Sequence, residues 1–184
     1  AEPIIPMPGL AAEGRAYWKT TVSIYLDYLA KNPDRADLWI RIDTIEHQLK
    51  NYPVSIDAYQ HAIRLQQNKA ELHKTLSEVY AEVDQPALAL SEINKASRLN
   101  PKNADYLIAR ARIANWAQDK KVALDSYQQL LSLSQTASVP MRREDIFIEI
   151  ALLEAQFNRY PEAIKAYEQA LQLSPGRKEA LQKK

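Results

Sequence analysis

The chain has 184 residues, 46% hydrophobic and 26% charged, with a formal net charge of +1. These values suit one core or one short repeat array, and the interspersed charges exclude the clustered basic footprint of a nucleic-acid binder. There is no cysteine, so disulfides, thiolate metal sites and a cysteine nucleophile are excluded.

The glycines are Gly9, Gly14 and Gly176, which leaves no phosphate-cradling loop between them. No apolar run reaches the ~20 residues that span a bilayer. Residues 1–14 hold Pro3, Pro6 and Pro8 and read as an extended arm. The start Ala1-Glu2-Pro3 fits a cleaved signal peptide or an arbitrary boundary. Residues 15–35 read as a capping helix, with Tyr17, Val22, Tyr25, Leu26 and Leu29 apolar and a stop at Asn32-Pro33.

From residue 36 the chain repeats. Alignment on the prolines of Asn32-Pro33, Asn100-Pro101 and Ser174-Pro175, stepped by 34, gives blocks 36–69, 70–103, 104–137 and 144–177. Ser138 to Arg143 is an insertion before the last block. Each block carries two stretches with apolar residues at helical spacing, such as Leu72, Leu76, Val79, Val83 and then Leu88, Ala89, Ile93, Ala96. Each therefore folds as a pair of helices. Ala89, Ala123 and Ala163 are small enough to let paired helices approach closely. Residues 178–184 begin a further helix, which suggests a fragment of a longer protein.

Asp37, Glu71, Asp105 and Asp145 recur at the second position of each block. A carboxylate there complements the helix dipole, and this explains the row better than a cation site does. His47, His61 and His73 fall on different helical faces and form no metal-binding pair. No metal or cofactor is expected. His73 stands where a first helix holds a large residue, so partial burial is expected. Ser132, Ser134 and Ser138 have no histidine near them in sequence, and no acid–base pair in a pocket is identifiable. The chain reads as a non-enzyme.

The blocks resemble the tetratricopeptide repeat (TPR), whose first helix follows W-x2-L-G-x2-Y and whose second follows A-x3-F with a later proline. Block one has Trp39, Ile42, Ser55, Tyr59 and Ala62; block two has Leu76, Ser77, Tyr80, Ala89, Ile93, Ala96 and Pro101. Block three has Leu107, Ala111, Ala123 and Tyr127; block four has Phe147, Ile150, Ala151, Ala163, Tyr167, Ala170 and Pro175. The resemblance implies an all-α, right-handed superhelical solenoid of antiparallel helix pairs. It also implies a groove, lined by first-helix positions, that takes a protein partner. Here the groove candidates are Ile40, Thr44 and His47; Lys74 and Glu78; Ile108, Arg112, Asn115 and Trp116; and Ile148 and Leu152. The Lys and Asn pattern of chaperone-tail clamps is not present at these positions. Trp116 serves either as a groove anchor or as inter-repeat core.

Arg110 replaces a leucine of the pattern, and Glu154 is the expected ion-pair partner. The insertion reads either as a functional loop or as a tolerated length change. Tyr106 to Ala117 and Lys121 to Tyr127 look like repeats of periplasmic scaffolds of bacterial exopolysaccharide export. That resemblance implies an envelope assembly, biofilm formation, a periplasmic location and a polysaccharide as a further ligand. A cytoplasmic location is the alternative. Two other functions fit a TPR array: self-assembly through terminal helices into a homo-oligomer, or docking for a larger enzyme.

Overall fold

The computed structural model describes residues 12–174, with side chains from Gly14 onward. Residues 1–11 of the expected arm over 1–14, and the expected helix over 178–184, lie outside the described residues. Those described form helices and no strand. They are α1 (Ala12–Leu29), α2 (Ala36–Gln48), α3 (Tyr52–Leu65), α4 (Ala70–Glu82), α5 (Pro86–Leu99), α6 (Ala104–Trp116), α7 (Lys120–Leu133), α8 (Arg143–Gln156) and α9 (Tyr160–Leu173). Each helix packs on the next in chain order. From α2 onward they form pairs, each with a first helix (α2, α4, α6, α8) and a second helix (α3, α5, α7, α9).

The turn inside each pair is built the same way. Lys50, Asp84, Gln118 and Asn158 adopt φ of 59°, 57°, 61° and 59°, the left-handed region. The following amide reaches back to close the helix: Asn51 N to Glu46 O, Gln85 N to Tyr80 O, Asp119 N to Ala114 O and Arg159 N to Glu154 O, at 2.8–2.9 Å. Together with the inner bond from each left-handed residue's own amide, at 2.9–3.2 Å, this pattern is the Schellman cap. None of the four residues is glycine, so each turn carries a backbone cost. Pro53, Pro86 and Pro161 then open α3, α5 and α9, where their missing N–H is an orphan in any helix.

Burial follows the repeat. The small residues Ala111 and Ala123, and Ala151 and Ala163, are buried at corresponding places within their pairs. The next contact shell is aliphatic and aromatic: Ile93, Leu107, Tyr127, Leu130, Ile146 and Leu153 are all buried in one cluster reaching from α5 to α9. Trp18, Tyr25, Ile42 and Ile45 build a second cluster between α1 and α3, and Tyr59, Leu76 and Val79 a third between α3 and α5.

Two sequence expectations change in detail. The apolar stripe of α1 is Trp18, Val22, Tyr25 and Leu29, a strict i, i+4, i+7, i+11 line. Tyr17 and Leu26 fall off that line and are exposed, and the helix starts at Ala12 rather than Arg15. On α5, Leu88 is exposed, and Leu90 takes its place in the core. The insertion is anchored, since Val139 and Met141 pack against the main cluster. Arg142 then forks onto Asp145, with Nε and Nη2 donating at 2.8 and 3.1 Å. Arg35 grips Asp37 in the same manner at the start of α2. Both acids also lie in the first turn, where the helix dipole favours them.

Candidate functional site

First helices of neighbouring pairs are tied to one another on one side of the array. His47 Nε2 lies 2.9 Å from Glu82 Oε2, joining α2 to α4. The Tyr106 hydroxyl donates to Glu71 Oε2 at 2.7 Å, joining α6 to α4. These bonds hold the first helices side by side, so residues at equal repeat positions line one continuous face.

Part of that face is a cavity of about 520 Å³ between α2 and α4. Thr44, His47 and Glu78 line it, so the structure brings these three groove candidates together. Asp43, Tyr59 and Glu82 complete its polar lining. Lys74 stands beside it and pairs with Glu78 at 2.9 Å, with Glu78 half exposed. Ile40 instead is half-buried against the core and does not line the cavity.

Asp43 belongs to this site although no groove position of the repeat pattern marks it. It is 3% exposed. Ser55 Oγ donates to its Oδ1 at 2.5 Å, and the Tyr59 hydroxyl donates to it as well. Burial dominates over these donors and raises the carboxyl to about 6, while the nearby His47 pulls the other way. The Tyr59 hydroxyl is pushed up by burial and then by the Asp43 charge. The signal was present in the repeat: Asp43 occupies the column that holds Ser77, Ala111 and Ala151 in the other blocks.

The remaining candidates lie on α6 and α8. Asn115 and Trp116, with Leu152, occupy the repeat positions that His47, Gln48 and Glu78 hold around the cavity. Trp116 is 39% exposed and Leu152 44%, and Arg112 is exposed. Trp116 therefore faces solvent rather than closing the inter-repeat core. Ile108 is half-buried against the main cluster, and Ile148 is half-buried. The face thus changes character along its length, from carboxylate-rich at α2 and α4 to aromatic and aliphatic at α6 and α8. Glu149, partly buried on α8, is raised by burial and by Asp145.

The histidines are engaged separately. His61 stacks on Trp39 with ring centroids 4.1 Å apart. His73 is buried and its Nδ1 lies 2.7 Å from Glu92 Oε2. Among the described residues no cluster of three His, Asp or Glu side chains could hold a metal ion, and no helix is long and apolar enough to cross a membrane.

The expected Arg110–Glu154 pair does not form. Arg110 Nη1 donates to Asp125 Oδ2 at 2.7 Å and its Nε to Asn94 Oδ1 at 2.7 Å. Glu154 instead accepts from Arg159 at 3.2 Å. The side chain of Arg110 reaches across to the second helices α5 and α7, whereas Glu154 is turned to the end of its own helix.

The family model for the tetratricopeptide repeat matches residues 145–177. Similar solved structures include YrrB, described as a TPR protein with an unusual peptide-binding site. It is 17% identical, with 91% of this chain and 83% of that chain covered, at a TM-score of 0.63. A MamA protein is 16% identical over 87% of this chain and 84% of that one, at a TM-score of 0.61. MamA from Desulfovibrio magneticus RS-1 is 10% identical over 88% of each chain, at a TM-score of 0.58. No curated protein matches the chain in sequence. One repeat thus matches the tetratricopeptide-repeat model, and the chain as a whole has the helix-pair solenoid fold of these structures.

Proposed function

We propose that the chain is a non-catalytic scaffold that seats a protein partner along the face of its first helices, within a bacterial envelope assembly such as exopolysaccharide export. The observation that carries this reading is the gathering of Thr44, His47 and Glu78 around one open cavity, continued by exposed Trp116 and Leu152 at equivalent repeat positions. Exposed aromatic and aliphatic side chains on a rigid frame are the usual anchors of an interface. The solenoid provides the frame, because each helix pair is held by its neighbours. The likeness to YrrB, whose described feature is a peptide-binding site, supports a peptide-like segment as the occupant.

The chemistry of the face describes the partner. The cavity at α2 and α4 favours a basic or hydrogen-bonding side chain, since Asp43, Glu78 and Glu82 line it against His47 and the neighbouring Lys74. The α6 and α8 end favours apolar side chains. A segment with basic residues at one end and apolar residues at the other meets both. A periplasmic location and a polysaccharide as a second ligand belong to the same proposal. They rest on the likeness of residues 106–117 and 121–127 to export scaffolds.

A second reading is favoured by α9. Ile164 is 59% exposed, whereas Leu90 and Leu124, at the same repeat position, are buried beneath the next helix pair. An uncovered apolar stripe of this kind suits self-assembly. One experiment separates the two readings: affinity capture from the source cell with wild type, Trp116→Ala and Ile164→Glu, alongside sedimentation of each. The scaffold reading predicts a partner lost with Trp116→Ala and kept with Ile164→Glu. Oligomers abolished by Ile164→Glu, without a captured partner, would establish self-assembly instead.

A further inference from the structure

Position 7 of each repeat holds Ile42, Leu76 and Ile150 in three of the pairs, and all are buried. In the remaining pair it holds Arg110. A guanidinium thus stands where the fold elsewhere places a core aliphatic, and the space around it is not closed. Between α5 and α7 there is a pocket of about 430 Å³, lined by Asn94, Ser97, Arg98, Pro101, Arg110 and Gln129. It lies among second helices, away from the face that carries Asp43 and Trp116.

The lining is rich in donors. Arg110 commits Nε to Asn94 and Nη1 to Asp125. Accepting through Oδ1 leaves the Asn94 amide nitrogen as a donor. Arg98 commits only its Nε, at 3.3 Å to the carbonyl of Asn94, and its two terminal nitrogens carry further N–H groups. Asp125 is the carboxylate at the rim, half exposed, and its Oδ2 is shared by Arg110 and Gln129. The guanidinium groups of Arg98 and Arg110 both line the pocket, and the Asp125 carboxylate pairs with Arg110 alone, so the lining carries a net positive charge. Planar guanidinium donors match carboxylate and phosphate oxygens, and they do so most strongly where partly shielded from water.

We propose that this pocket is a binding site for a compact oxyanion, a carboxylate or a phosphate, held by Arg110 and Arg98 with Asn94. The site is independent of the partner-binding face. It explains why a charged side chain stands in a core position: Arg110 is held half-engaged by Asn94 and Asp125, ready to add an external acceptor.

The test is a titration of the whole chain, followed by NMR of the arginine Nε–Hε signals, with inorganic phosphate and separately with glucuronate, each to tens of millimolar. The site predicts saturable shifts of the Arg110 and Arg98 signals with at least one probe, weakened by added chloride salt. The stronger probe identifies phosphate or carboxylate as the natural group. Arg110→Leu restores the aliphatic of the other repeats and should fold, as circular dichroism will report, while losing the saturable shift of Arg98. Arg98→Gln should weaken binding several-fold and leave the Arg110 signal responsive. Absence of saturable shifts with both probes, or an unchanged Arg98 response in folded Arg110→Leu, would overturn the proposal.

Discussion

Ser55 donates to Asp43 at 2.5 Å where α2 and α3 pack. The same two repeat positions hold Ala111 with Ala123, and Ala151 with Ala163, in later pairs. A polar contact therefore replaces a small apolar one in the first pair, and it does so on the wall of the cavity.

That replacement makes stability depend on pH. The folded state holds Asp43 near 6, above its ordinary carboxylate value, because burial disfavours the charge. Its contribution is full below the unfolded value and is lost as pH rises through about 6. The loss amounts to ~3 kcal/mol at most for such a shift. Urea unfolding of wild type and Asp43→Asn between pH 4 and 7 checks this. The difference between them should move in favour of the variant as pH rises, and a constant difference contradicts it.

The buried pair of His73 and Glu92 gives a second expectation. Lys95 Nζ also donates to Glu92 at 2.6 Å, so the carboxylate serves both groups. Glu92→Ala strands the imidazole and should cost ~2–4 kcal/mol. His73→Leu with Glu92→Ala together should cost markedly less, since other repeats hold Trp39, Leu107 and Phe147 at the histidine's position. A double-mutant cycle measured by denaturation reads the coupling directly.

The turns supply a third. Lys50 holds φ of 59° without the side-chain tolerance of asparagine or aspartate. Lys50→Gly should therefore raise stability by about 1 kcal/mol, and Asn158→Gly by less. Thermal unfolding of both variants distinguishes them, and Lys50→Ala should gain nothing.

Arg110 yields a fourth. Asp125→Ala removes the acceptor of a largely buried guanidinium and should destabilise by ~1–3 kcal/mol. Arg110→Leu should be neutral or stabilising, because a leucine suits that place in the fold. Calorimetry on the two variants tests this order, and a reversed order would show that the guanidinium itself holds the pair together.

Much of this architecture can be read from the sequence, because a 34-residue period fixes both helix spacing and facing. The columns of small residues place the helix crossings, and Ala123 and Ala163 do lie buried there. The position of His73 in the helix predicts partial burial, and the side chain is in fact buried. Its partner was not legible, because Glu92 lies on the second helix, one contact removed from any local pattern. Arg110 shows the same limit: a long side chain chooses among several acceptors within reach, and spacing favoured Glu154 where geometry selects Asp125. The left-handed turn residues carried no glycine to announce them. Asp43 was announced, as an acid in a column of serine and alanine, but only burial shows that it shapes a cavity.

The proposed partner lies along the face of the first helices. Site-specific photo-crosslinking tests this placement most directly, with the reactive group placed at Gln48 or Arg112 on that face and at Lys121 or Gln128 on a second helix. The account predicts that one protein is captured from both Gln48 and Arg112 and from neither second-helix position. Capture from Lys121 or Gln128 alone would contradict it.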